Sequence, residues 1–258
     1  APQFATIIEF SHRIMTAVDF FVVLFLVVFA FITFEKGEWA KRFAILSFVF
    51  IITEALIGAG LVLTGNTAGA ITPYRPYWAI GHLINSSFLL ALLSLTAWSA
   101  GQRKTFNLKR NKKAIKLMLL AILGLFLIGA SGSLAALSGM LFPAESLAEG
   151  LRQDFSESSH MLLRLRVSHP ILSVLVGIYL IFLGGWLKKM RESDLFLKRL
   201  ASWLTILVVV QLAFGAVTLL SLAPIIMQLG HLLLADLVWI TFILMSATLL
   251  SSETDKLS

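Results

Sequence analysis

The stretch Glu54-Ala55-Leu56-Ile57-Gly58-Ala59 returns 157 positions later as Gln211-Leu212-Ala213-Phe214-Gly215-Ala216. His12 and His169 are separated by the same 157 positions. Gly81-His82-Leu83 is echoed by Gly230-His231-Leu232 at an offset of 149, the preceding loop being eight residues shorter. A chain that repeats itself in this order reads as two copies of one helical unit fused in the same orientation. The expected halves are residues 1–112 and 113–258.

Composition says what kind of helices these are. Of 258 residues, 58% are hydrophobic and 14% charged, and the mean hydropathy is +0.90. A soluble domain is closer to half apolar and a quarter charged, so a disordered chain and a soluble globular enzyme are both excluded. Seven apolar stretches, roughly residues 5–34, 42–64, 78–100, 114–138, 160–187, 200–222 and 226–250, are each long enough to cross a bilayer. The expected fold is therefore an all-α membrane protein of two pseudo-symmetric helical bundles. Pro73, Pro76, Pro143 and Pro224 fall in connections, whereas Pro170 falls just inside the fifth span and kinks or starts it. The chain has no cysteine, which excludes disulfides, thiolate metal ligands, iron–sulfur clusters and cysteine nucleophiles.

The net charge of +7 is explained by where the cations sit. Sixteen of the 21 Lys and Arg residues lie after spans one, three and five or in the C-terminal tail, at Lys36, Lys41, Arg42, Arg103, Lys104, Lys109, Arg110, Lys112, Lys113, Lys116, Lys188, Lys189, Arg191, Lys198, Arg199 and Lys256. The positive-inside rule places those loops in the cytoplasm or the mitochondrial matrix, with residue 1 outside and the C-terminus inside. The charge is thus a topology signal, and nucleic acid is not an expected partner. An outside N-terminus with no visible signal peptide is reconciled by a span preceding residue 1, giving eight in all. Span four is then the counterpart of that span.

Four of the five histidines, His12, His82, His169 and His231, occupy matching places near the outer ends of their spans. Ionisable residues in a membrane interior are costly and mark function. Two histidines per half on two different helices suit a metal between helices or a heme held by two imidazoles. A mononuclear zinc or copper site usually asks for a third protein ligand, so heme is the better match. Small residues near the histidines, Gly58, Ala59, Gly60, Gly129, Ala130, Gly132 and Gly215, admit a flat macrocycle or a neighbouring helix. Arg13, Arg75, Arg164 and Arg166 gather toward the outer side, where guanidinium groups pair with carboxylates such as heme propionates. Arg166, three residues before His169, shares its helical face. Its repeat equivalent is Glu9, three residues before His12, so one half carries an acid where the other carries a base. Asp19, Glu54 and Asp236 are further intramembrane acids. Glu54 and Asp19 are candidates for proton relay, and Asp236 for a packing hydrogen bond. His160 has no counterpart in the other half and reads as a surface residue. The acidic 139–158 segment before it reads as an outer loop that could face a partner.

Glu9-Phe10-Ser11-His12-Arg13, Gly81-His82, Leu163-Arg164-Leu165-Arg166-Val167-Ser168-His169-Pro170 and Gly230-His231, in this order and spacing, resemble the heme A synthase family over nearly the whole chain. The resemblance implies eight spans in two four-helix halves and the oxidation of a methyl group of heme O to the formyl group of heme A, for cytochrome oxidase. It implies that His12 and His82 hold the substrate heme, that His169 and His231 ligate the iron of a heme b cofactor with Arg166 and Arg164 on its propionates, and that Glu9 is catalytic. The partners it implies are heme O and heme A, membrane lipid, heme O synthase, cytochrome oxidase assembly factors and a quinone or other electron acceptor, with a homo-oligomer compatible. The implied location is the bacterial cytoplasmic membrane or the mitochondrial inner membrane. The chain departs from the many members that carry cysteine pairs in outer loops. Two other classes remain open on the residues themselves: a non-enzymatic di-heme b cytochrome, and a two-fold-repeat transporter with a His/Glu proton relay.

Overall fold

The computed structural model describes residues 4–67, 72–102, 105–106 and 111–252. Their helices are α1 (Phe4–Thr33), α2 (Trp39–Leu63), α3 (Arg75–Gln102), α4 (Lys112–Leu141), α5 (Leu147–Phe155), α6 (Met161–Arg166), α7 (Ser168–Met190), α8 (Leu195–Leu220) and α9 (Ile225–Leu250). Two extended segments of two residues each, Thr105–Phe106 and Ser251–Ser252, complete the described elements. Seven helical stretches of 24 to 30 residues are long and apolar enough to cross a membrane, α6 and α7 together forming the fifth. The chain is an all-helical integral membrane protein.

Sequence chemistry sets the helix ends. Asn111 caps α4 by accepting from Ala114 N at 3.1 Å, and Asp194 caps α8 by accepting from Leu197 N at 2.9 Å, each satisfying an N–H that the helix leaves unpaired. Gly37 supplies a φ of +95° in the turn between α1 and α2, a conformation glycine adopts without strain. Pro76 sits in the first turn of α3, where its missing N–H removes nothing, so this helix begins three residues earlier than hydropathy suggests.

The fifth span is broken at Val167 into α6 and α7, in keeping with the kink or new start expected at Pro170. Pro170 cannot donate to the carbonyl of residue 166 and its ring crowds that carbonyl, so it belongs to the first turn of a new helix. The acidic 139–158 segment is not all loop: it contains α5, capped by Ser146 Oγ accepting from Glu149 N at 3.2 Å. Lys104, Lys109, Arg110 and Lys256 of the basic loop and tail lie outside the described residues, as does Arg103.

The chain divides into two compact units, the first holding α1–α3 and the second α4–α9. In the first, α2 packs on both α1 and α3. In the second, α4, α7, α8 and α9 pack in succession, and α4 also meets α9, with Phe126 against Trp239 at 5.5 Å between ring centroids. The repeat is visible in the packing register. On α2 the buried stripe is Ala40, Ala44, Ser47 and Ile51, and on α8 it is Leu197, Ala201, Leu204 and Val208. Each member is 157 positions from its counterpart, and the spacing of four, three and four places each stripe on one helical face. Large apolar side chains such as Phe21, Phe25, Ile32 and Phe182 remain exposed, as a surface solvated by lipid requires.

Gly177 on α7 marks a close approach to α8: an added Cβ would meet Leu212 Cδ1 at 3.1 Å and Val208 Cγ1 at 3.3 Å, whereas one at Gly185 would meet nothing within 4 Å. Gly177→Leu should therefore lower stability in detergent by about 1–3 kcal/mol through overpacking, and Gly185→Leu should leave it nearly unchanged. Thermal unfolding of the two variants checks the difference.

Candidate functional site

In the first unit, α1 carries His12 and α3 carries His82 near their N-terminal ends. Their rings lie 6.5 Å apart between centroids with an interplanar angle of 18°. In the second unit, His169 opens α7 and His231 stands in the second turn of α9. Their ring centroids are 6.2 Å apart at 88°. An imidazole nitrogen binds a metal at about 2 Å, so two imidazoles on opposite sides of one iron place their ring centroids roughly 6 Å apart. Both pairs have the span of a bis-imidazole site.

At His12 and His169 the hydrogen bonds leave the Nε2 lone pair available to a metal. Thr16 Oγ1 donates to the carbonyl of His12 at 3.0 Å and lies 3.1 Å from His12 Nδ1. Its single hydroxyl proton is spent on the carbonyl, so Nδ1–H donates to the oxygen and the Nε2 lone pair stays available. Ser131 of α4 repeats this logic, donating to Ile128 O at 2.9 Å and accepting from His169 Nδ1 at 3.2 Å. His82 Nδ1 faces Glu54 Oε1 of α2 at 3.2 Å, within ion-pair distance but outside hydrogen-bond alignment. His231 differs. Among the described residues its Nδ1 is buried without a hydrogen-bond partner, its Nε2 is 3.4 Å from Gln211 Nε2, and Gln211 Nε2 donates to His231 O at 3.0 Å. Metal-bound histidines typically turn their second nitrogen to a carboxylate, hydroxyl or carbonyl. His12 and His169 turn theirs to a hydroxyl, and His82 turns its own to a carboxylate.

Glycines admit the rings. An added Cβ on Gly132 of α4 would come within 2.9 Å of His169 Cε1, and one on Gly215 of α8 within 2.8 Å of His231 Cε1. Only a residue without Cβ lets these imidazoles lie against the neighbouring helix. Among the described residues no group of three or more His, Cys, Asp or Glu side chains could hold a metal ion. A porphyrin supplies its own equatorial nitrogens and asks the protein for axial ligands alone, so pairs of histidines fit heme.

The structure gives the arginines definite places. Arg166 Nε donates to Asp154 Oδ1 of α5 at 2.7 Å and its Nη2 to Gly150 O at 3.1 Å. Side-chain exposure of 18% for Arg166 and 11% for Asp154 makes this a sheltered pair. Arg164 is exposed and donates to Glu157 O. Arg166 thus fastens α5 to α6, and Arg164 holds the turn that follows α5. The side chain of Glu9 lies outside the described residues, though its position in α1 is three residues before His12. Asp19 is exposed on α1. His160 caps α6, accepting from Leu162 N at 3.2 Å, and packs on Phe142 with 5.2 Å between ring centroids.

Sequence reasoning flagged Glu54 without its surroundings. Glu54 Oε2 accepts from Asn85 Nδ2 at 2.5 Å, Ser86 Oγ donates to Oε1, and Thr53 Oγ1 donates to Asn85 Oδ1 at 2.6 Å. Asn85 also donates to Phe50 O at 2.9 Å. Asn85 and Ser86 follow His82 by three and four residues, and that spacing places all three on one face. It was the signal available for finding them.

Comparison with known proteins gives the site a context. The family model COX15-CtaA, described as cytochrome oxidase assembly protein, matches residues 2–243. A protein of Thermus thermophilus named protoheme IX farnesyltransferase is 41% identical over 251 residues, covering 97% of this chain and 41% of that protein. The chain spans about two fifths of the length of the Thermus relatives it matches. Heme A synthases of an Exiguobacterium species and of Halalkalibacterium halodurans are 34% identical over 62 residues and 38% identical over 66 residues, about a quarter of this chain and a fifth of theirs. No solved structure matches.

The Arg166 tie to α5 is testable by itself. Arg166→Gln removes a sheltered ion pair and a charged hydrogen bond, and amide exchange across residues 147–155 should rise on the order of tenfold. Hydrogen-exchange mass spectrometry reads this directly, and unchanged exchange would show that α5 is held by other contacts.

Proposed function

This chain belongs to the COX15-CtaA family of cytochrome oxidase assembly proteins, and we propose that it acts as a heme A synthase, oxidising a methyl group of heme O to the formyl group of heme A. The observation that carries this reading is the pair of bis-imidazole arrangements, 6.5 Å and 6.2 Å between ring centroids, one in each repeat unit. His12 and His82 hold the substrate heme. His169 and His231 hold a heme b, which supplies electron transfer when bound.

Turning a methyl into a formyl group, with water as the oxygen source, releases four electrons and four protons. The electrons pass to a quinone or another acceptor. Oxidation at the methyl carbon develops positive charge there, and we assign its stabilisation in a medium of low dielectric to Glu9, three residues before His12 in the sequence. Arg166 and Arg164 lie close in sequence to His169 and would reach the propionates of the second heme only with the N–H groups not spent on Asp154, Gly150 and Glu157. The basic loops face the cytoplasm, with the first residue on the opposite side, as the positive-inside rule directs.

The Thermus relatives support a partner. Their name describes farnesyl transfer to protoheme IX, the class of reaction that yields a farnesylated heme, and more than half of their length lies beyond the part this chain matches. That remainder has room for a transferase apart from the part that this chain matches. A heme O synthase is therefore the proposed supplier of substrate.

Pyridine hemochrome spectra with heme extraction and chromatography on the detergent-purified chain should show heme b together with heme O or heme A. Heme b alone at two per chain would instead favour an electron-transfer cytochrome. Glu9→Ala should lower conversion of added heme O by about 10²-fold or more with the heme b spectrum intact, and retained activity would remove Glu9 from the mechanism.

A further inference from the structure

The two units place their histidines alike but surround them differently. Around His82 stand Thr53, Glu54, Asn85 and Ser86, joined as a polar cage in which every member bonds another. At the repeat-equivalent positions of the second unit stand Val210, Gln211, Leu234 and Ala235. Every hydrogen-bonding group of the first cage except the one at Glu54 is replaced by a hydrocarbon, and the carboxylate itself becomes an amide. The helices, the ring separation and the buried stripe of α2 and α8 keep their register through this change.

A carboxylate buried in a membrane helix is costly unless its oxygens are satisfied. Here Oε2 receives Asn85 and Oε1 receives Ser86, which leaves Glu54 held in one orientation with Oε1 3.2 Å from His82 Nδ1. Side-chain exposure is 13% for Glu54, so its field is little screened by solvent. A carboxylate against the far nitrogen of a metal-bound imidazole pushes electron density onto the ring and makes it a stronger donor. The resulting charge favours the oxidised over the reduced iron. The amide of Gln211 carries no charge to do this at His231.

We propose that Glu54, fixed by Asn85 and Ser86, is a positioning residue that makes His82 the more electron-donating axial ligand and so sets the iron of the N-terminal heme at a lower potential than it would have with a neutral partner. The inference rests on heme binding between His12 and His82. Its chemical consequence is a heme held there with a bias toward the ferric state, while the C-terminal heme lacks that bias.

The test uses the full chain in detergent, saturated with added ferric heme and counted by pyridine hemochrome. Redox titration followed optically, with low-spin ferric EPR, resolves the two hemes, and the N-terminal component is identified as the one lost in His82→Ala. Glu54→Gln should raise the midpoint potential of that component and shift its EPR g-values, leaving the component lost in His231→Ala unmoved. Gln211→Glu should move the C-terminal component downward, and it carries the test if Glu54→Gln does not accumulate. Bound heme whose potential and EPR are indifferent to Glu54→Gln, or to Gln211→Glu where that variant stands in, overturns the inference and leaves the heme reading standing. A wild-type chain that takes up no heme overturns both.

Discussion

A polar ring inside a bilayer cannot leave either nitrogen to water, and this constraint organises both units. Unsatisfied polar groups in hydrocarbon cost several kcal/mol each, so every membrane-embedded imidazole must be partnered by protein or by a ligand. In this chain the partnering is one-sided. Thr16, Ser131 and Glu54 occupy or face Nδ1 of His12, His169 and His82. The Nε2 atoms of these three histidines are left with work that a metal can do. The packing follows from the same requirement: Gly132 and Gly215 open space for imidazoles against the backbone of α4 and α8, and α2 and α8 stand where they can offer Glu54 and Gln211 to the rings.

The fold was legible because lipid imposes a coarse code. Twenty or so apolar residues per crossing and cationic loops on one side can be read without knowing any contact. What escaped was local. Pro170 marked a kink or a new start in the fifth span, but an uninterrupted apolar run gave no sign that the break falls at Val167. Helix α5 was written in Ser146 and Glu149, a serine followed three residues later by an acid. Its acidic composition masked the stripe of Leu147, Leu151 and Phe155, which is exposed in the structure.

The histidines themselves were visible through the repeat, since duplication preserves what each unit needs. Their hydrogen-bond partners were less so. Hydroxyl side chains on membrane helices commonly bond their own preceding turn, as Ser87, Ser94 and Thr96 do here, so a serine in the sequence carries no sign that it serves a ring on another helix. Ser131 lies 38 residues from His169 and meets it only because α4 packs on α6 and α7. The tie between Arg166 and Asp154 was hidden for a related reason: a basic residue beside a histidine suggests an anionic ligand, while an acid twelve residues earlier becomes its partner only once α5 folds back.

Duplication followed by divergence explains why the two sites share helix register and ring separation and differ in ring orientation and charge. Register, helix order and ring spacing are set by apolar packing, and the stripes on α2 and α8 show that packing retained. The electrostatic complement is free to drift, because a single residue can change it without moving a backbone. Yet the cage around Glu54 is not what drift toward stability would produce. Burying a carboxylate and the polar groups that satisfy it is at best neutral against a well-packed hydrocarbon of similar volume, and the second unit demonstrates the hydrocarbon solution with Val210, Leu234 and Ala235. A unit that keeps Thr53, Glu54, Asn85 and Ser86 at positions where its twin dispenses with them holds a charge whose use lies in the site rather than in the fold.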